Sequence, residues 1–208
     1  MSDPPRRILL LTTPTSYRTQ AFLQAAERLR IETLVVEDTP DVLRSTWRSR
    51  FAIDFSKLDD AASALVSLAA EFPVRAVVPV DDAGTVLAAL VASRLGLPSN
   101  DPEAALAARD KWVMRQRFAA AGVPAPRAHA FPALADPRAI ASRISFPCVV
   151  KPTRLSGSRG VIRADDAEQL AQAIERVRHI LASDGVDLSS ALLVLEPFVP
   201  LFEVAVEG

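Results

Sequence analysis

Along the first hundred residues, short apolar runs bounded by turn residues alternate with longer stretches of helical period. That alternation is the signature of a parallel sheet covered by helices. Residues 8–11 form a first buried strand, and Phe22, Ala25, Ala26 and Leu29 recur at helical spacing behind it. Residues 33–36 restore a strand that ends at Glu37 and Asp38, completing one βαβ unit. The spacing then predicts a short extended piece over 51–55, a helix over 61–70, a buried strand over 76–80 and a helix over 83–95. Gly96 closes that last helix, because glycine adopts the left-handed conformation of a C-terminal cap without steric cost.

The pattern changes near residue 100. Asp101 followed by Pro102 reads as a cap and a first helical residue, and Asp110 reads as the cap of a second helix carrying Met114, Phe118 and Ala121 on one face. Gly122 ends that helix, and Pro124 and Pro126 force the chain to leave it extended. Beyond lie a strand over 148–151, a loop to Gly160, a strand over 161–163 and a long helix with Leu170, Ile174, Val177 and Leu181 on one stripe. Asp165 with Glu168 forms a capping-box pattern before that helix, and strands over 191–196 and 202–206 complete the set. The expected organisation is an α/β domain over 1–100 followed by an α+β unit over 101–208, with a small antiparallel sheet and at least one covering helix.

Composition narrows the function classes. The chain has 208 residues, enough for one large or two small domains, with half of them apolar, a quarter charged and a net charge of −1. That balance points to a small-molecule ligand and suggests neither a disordered chain nor a nucleic-acid surface. Cys148 is the only cysteine and His129 and His179 the only histidines, which excludes a disulfide framework and a Cys/His zinc site and fits a reducing cytoplasm. Arg6 and Arg7 precede only four apolar residues, too few for a signal peptide, and no run approaches the ~20 apolar residues of a membrane span.

The stretch richest in chemistry runs from Val149 through Lys151 and Pro152 to Gly160 and Val161. A lysine at the end of a buried strand is costly unless its ammonium emerges beside an anion, and triphosphate is a suitable one. Gly157 and Gly160 let the backbone approach phosphates, while the hydroxyls of Ser156 and Ser158 donate to phosphate oxygens. Taken alone, the loop is also compatible with an ordinary hairpin connection. Arg154 and Arg159 are either phosphate contacts or solvated loop residues, and Asp81 and Asp82 either flank a ligand or cap the next helix. Cys148 reads as core, and His129 and His179 as structural or exposed. A dinucleotide-binding dehydrogenase is disfavoured, because Thr12, Thr13, Pro14 and Thr15 stand where Gly-x-Gly-x-x-Gly would follow the first strand.

Five segments in order resemble the ATP-grasp superfamily: Leu95-Gly96-Leu97-Pro98, Asp110-Lys111, the stretch over 121–126, Lys151-Pro152 with its Gly/Ser loop, and Leu195-Glu196-Pro197-Phe198-Val199. The resemblance covers the chain from about residue 76, and the preceding residues fit the family's α/β domain by pattern. It implies a parallel-sheet domain followed by an ATP-grasp lid, with linker helices over 101–125 and the lid over about 126–200. By the same resemblance, Lys111 and Lys151 contact ATP phosphates, with Lys151 also near the adenine, and Ser156, Gly157, Ser158 and Gly160 belong to the lid's flexible Gly/Ser loop. Glu196 accepts from the adenine amino group, the backbone of Phe198 or Val199 reads the ring edge, and Glu203 binds ribose. Bland readings stand beside these: Lys111 as a solvated first-turn residue, Lys151 as a snorkelling strand end, and Glu196 and Glu203 as exposed strand positions.

The family's magnesium ligands and its Glu-x-Asn element follow the adenine hinge, whereas the only asparagine here is Asn100. The expectation is therefore an N-terminal half lacking the second grasp subdomain, with catalytic groups and Mg²⁺ ligands beyond residue 208 and no turnover by this polypeptide alone. A severed edge strand from Phe202 would promote homo-oligomers. The implied activity is an ATP-dependent carboxylate–amine ligase acting on a small carboxylate substrate through an acylphosphate. The alternative is a non-catalytic nucleotide-binding or assembly module.

Overall fold

A computed structural model describes residues 6–39, 51–202 and 204. The chain folds as two compact units, Met1–Leu106 and Ala107–Gly208. Among the described residues, no helix is long and apolar enough to cross a membrane.

The first unit contains β1 (Arg7–Thr12), α1 (Thr19–Arg28), β2 (Glu32–Asp38), β3 (Ala52–Ile53), α2 (Leu58–Glu71), β4 (Ala76–Pro79) and α3 (Thr85–Arg94). Its sheet has the order β3-β2-β1-β4, and every pairing is parallel. Parallel strands joined by helices are covered on both faces, which is why β1 reads as the unbroken apolar run of Leu9, Leu10 and Leu11, all fully buried. Leu65 of α2 and Leu87 and Val91 of α3 pack with Leu9, Leu11 and Val36 in one core.

The helical spacing of Phe22, Ala25 and Ala26 falls within α1, with Leu29 at its end. Only Ala26 of α1 is buried, whereas Phe22 is 37% and Leu29 63% exposed. Leu29 is the C-cap, and the chain then turns through Arg30 at φ 55°. Gly96 closes α3 at φ 65°, as its position predicts.

The boundary between units falls within α4 (Pro102–Arg109), whose first turn is capped by Asp101. The second unit continues with α5 (Lys111–Ala120), β5 (His129–Pro132), α6 (Pro137–Ala141), β6 (Cys148–Pro152), β7 (Ile162–Ala164), α7 (Ala167–Ser183) and β8 (Leu192–Pro197). The sheet order is β5-β8-β6-β7, antiparallel throughout. Leu170, Ile174, Val177 and Leu181 of α7 pack with Cys148, Val150, Leu193 and Leu195, so α7 covers one face of the sheet.

Register places the chemistry on the other face. Val150 pairs with Leu195 on the α7 side, while Lys151 pairs with Val194 and Val149 with Glu196. Successive side chains alternate between faces, so Lys151 and Glu196 are diagonal neighbours pointing away from α7.

Asp166, not Asp165, caps α7: its side chain accepts from the Gln169 amide, and Gln169 accepts in return from the Asp165 amide. The box is shifted by one residue because Asp165 is taken by Arg163 in a surface ion pair. The strand expected over 202–206 lies largely outside the described residues; Phe202 itself is unpaired and fully exposed. Asp166→Ala is expected to destabilise the second unit by about 1 kcal/mol, and Asp165→Ala by less than about 0.5 kcal/mol, in urea titrations followed by circular dichroism.

Candidate functional site

Glu196 is 3% exposed, yet it carries a carboxylate, so the surrounding elements must supply its counter-charge. Lys151 does so from the neighbouring strand, with Nζ donating to Oε2 at 2.5 Å. Arg115 of α5 does so as a fork, donating from Nε to Oε1 at 2.6 Å and from Nη2 to Oε2 at 3.1 Å. Arg115 was not among the residues singled out from sequence. A signal for it was present: Arg115 lies four residues after Lys111, so the two share a helix face.

The start of α5 is tied to the loop between β6 and β7 by three contacts. Asp110 caps α5 through the amides of Trp112 and Val113, and its other oxygen accepts from Arg154 Nε at 3.0 Å. The Lys111 amide donates to the Thr153 carbonyl at 2.9 Å, and Lys111 Nζ donates to the Leu155 carbonyl at 2.6 Å. Burial lowers the Lys111 pKa below its ordinary 10.5, and the charge of Lys151 lowers it further. Among the described residues, no carboxylate lies within ion-pair distance of Lys111. The cluster thus holds four cations and two carboxylates: Arg115 and Lys151 pair with Glu196, Arg154 pairs with Asp110, and Lys111 is bonded to a carbonyl. A cavity of about 330 Å³ lined in part by Trp112, Arg115, Gln116 and Arg127 adjoins it.

The Gly/Ser loop leads directly on from Leu155. Ser156, Gly157 and Ser158 are exposed, and the turn closes through Arg159 N to Ser156 O and Val161 N to Ser158 O. Gly157 and Ser158 lie at φ 63° and 57°, the left-handed region in which a serine is uncommon. Gly160, at φ 72°, is buried against Pro152, and a Cβ there would meet the proline ring at 3.1 Å. Arg159 pairs with Asp184 rather than with the cluster.

On the hinge side, the Phe198 amide donates to the Pro147 carbonyl at 3.0 Å, and Arg163 lies 4.1 Å over the Phe198 ring. Val199 is exposed, and Glu203 lies outside the described residues. The structure therefore brings Lys111, Lys151 and Glu196 together, places Ser156–Gly160 next in chain to Leu155, and places Phe198 and Val199 just after Glu196. Cys148 is core, His129 packs beside Phe131 and His179 is exposed. Asp81, in the first unit, accepts from Thr13 and Ser16.

Burial alone would raise the Glu196 pKa, but hydrogen bonds from Arg115 and then Lys151 outweigh it and hold the group below its ordinary 4.5. A carboxylate with a lowered folded pKa contributes stability that is complete above its unfolded value and lost as pH falls through the folded one. The melting temperature is expected to fall on acidification below 4.5. Glu196→Gln should flatten that slope while costing about 3 kcal/mol at neutral pH, as checked by calorimetry down to about pH 3.

Both units of the chain resemble known proteins. Residues 23–99 match the ATP-grasp N-terminal domain and residues 144–208 the ATP-grasp domain. The carbamoyl phosphate synthase large chain of Beutenbergia cavernae is 32% identical over 165 residues, 79% of this chain and 13% of that protein. The alanine–anticapsin ligase of Bacillus subtilis is 30% identical over 141 residues, 68% of this chain and 29% of that protein. The crystal structure of L-amino acid ligase from Bacillus licheniformis superposes with a TM-score of 0.69 at 22% identity, over 93% of this chain and 47% of that one. The chain thus spans less than half the length of these proteins. With residues 23–99 and 144–208 matching the two successive domains of one family, the chain belongs to the ATP-grasp family.

Proposed function

We propose that the second unit holds ATP, with Lys111 and Lys151 on the triphosphate and the turn of Ser156, Gly157, Ser158 and Gly160 closing over it. The observation that carries this reading is the charge imbalance of the cluster, four cations against two carboxylates, with Lys111 partly buried and bonded only to carbonyl oxygen. Such an excess is stabilised by a polyanion, and preorganised cations are what phosphoryl transfer requires. Exposed serine hydroxyls and backbone amides of the turn donate to the phosphate oxygens. When Lys151 moves to phosphate, Glu196 Oε2 regains capacity to accept from the adenine amino group. The Phe198 amide is already committed to Pro147, so reading of the ring edge falls to Val199. Glu203 is assigned to the ribose.

The whole protein, in this proposal, is an ATP-dependent carboxylate–amine ligase. A carboxylate oxygen takes the γ-phosphoryl group and ADP leaves. The amine then attacks the carbonyl carbon of the acylphosphate, expels phosphate and loses a proton. The names of the relatives, a carbamoyl phosphate synthase chain and an amino-acid ligase, support this class. Among the described residues no cluster of three or more acidic, histidine or cysteine side chains fits a metal ion, and we assign no magnesium ligand to them. Residues 1–100 are assigned to the preceding α/β domain and 101–208 to the ATP-grasp portion.

Isothermal titration is expected to show ATP and ADP binding by the 208-residue chain, weakened about tenfold or more by Lys111→Ala or Lys151→Ala, the loss of about 1.4 kcal/mol or more. Absence of heat with either nucleotide sinks the reading. For the intact ligase, hydroxylamine added with ATP, Mg²⁺ and a small carboxylate substrate is expected to trap a hydroxamate; ADP formation without hydroxamate would remove the acylphosphate step.

A further inference from the structure

Two cations serve one buried carboxylate at Glu196, and they are not equivalent. Arg115 binds through two parallel contacts from a rigid fork, at 2.6 and 3.1 Å, whereas Lys151 makes a single contact from a flexible stem. The side chains of Arg115 and Lys151 are 16% and 21% exposed, against 3% for Glu196, so the carboxylate is the most deeply desolvated of the three. A carboxylate in that position that loses its only counter-ion is strongly destabilised. If Lys151 were its sole partner, drawing that ammonium onto a phosphate would leave an uncompensated buried charge.

Resting on the nucleotide reading above, we infer that Arg115 is a positioning residue: it keeps Glu196 neutralised, so that Lys151 is exchangeable between the carboxylate and the triphosphate. The permanent guanidinium charge and the bidentate grip make Arg115 the resident partner, and the lysine the mobile one. Helix α5 reinforces the division, because the same face that delivers Arg115 to Glu196 delivers Lys111 to the Leu155 carbonyl at the root of the Gly/Ser loop. One helix therefore supplies a fixed phosphate cation and frees the other.

The test is titration of the full chain with adenosine, ADP and ATP. Arg115→Met is expected to weaken ADP and ATP on the order of tenfold, as loss of a charge-assisted hydrogen bond does, and to leave adenosine within about twofold. The loss is expected to vanish in a Lys151→Met background, where no mobile cation remains, and to vanish likewise in a Glu196→Gln background, measured against Glu196→Gln alone, where no buried charge needs a partner. Equal weakening of all three ligands, or an undiminished loss without Lys151, overturns the inference. Should Arg115→Met fail to fold by circular dichroism, Arg115→Lys keeps the charge without the fork. It is expected to fold with intermediate ADP affinity, and wild-type affinity there overturns the proposal. A wild-type chain that binds neither nucleotide removes the nucleotide reading itself; nucleotide binding that Lys151→Met weakens and Arg115→Met does not removes only this inference.

Discussion

Burying an ionised carboxylate in a sheet is unfavourable unless charge and hydrogen bonds are returned to it, and the second unit is organised around one such group, Glu196. Antiparallel register puts Glu196 and Lys151 on the sheet face opposite α7, and α5 brings Arg115 to the same oxygens. The three elements that converge there also define the ends of the loop and the hinge. The Gly/Ser loop begins at Ser156, five residues after Lys151, and Phe198 follows Glu196 by two. A single electrostatic requirement thus links β6, β8 and α5 before any ligand is considered.

The sheet divides its labour by face. One face is apolar and closed by α7, where Leu170, Ile174 and Val177 meet Val150 and Leu195. Burial of that face provides the stability of the unit and leaves the opposite face available for charge. The loop joining β6 to β7 is pinned at its root by Thr153 and Leu155 carbonyls against Lys111, yet its tip at Ser156–Ser158 is exposed. Such a loop has a fixed origin and a free crown, which suits a segment that must approach a ligand and withdraw.

Much of the site was legible because its signals are local. Asp110 capping a helix that starts at Lys111, a lysine ending a strand before proline, and glycines at 157 and 160 are read within a few residues, and the structure places each as a cap, a strand end and a positive-φ turn. The buried strand over 8–11 and the stripe on α7 were legible for the same reason, since a long run or a strong period leaves one packing solution. Less legible were features in which two local solutions compete. Asp165 and Asp166 are adjacent and both precede α7, and Arg163 decided between them by pairing with the first. Phe22 and Leu29 have the spacing of a core stripe, but α1 is buried only at Ala26.

By itself, the amino-acid order determined the secondary-structure grammar and the family, because each depends on the residue types within a short window and on the backbone conformations they permit. Only the tertiary structure decided who compensates Glu196. Arg115 and Glu196 are 81 positions apart, and no window contains both; their meeting depends on the register of β6 against β8 and on where α5 is docked. Long-range Coulomb pairing is a property of where side chains end up, and a chain written in one dimension does not carry those distances.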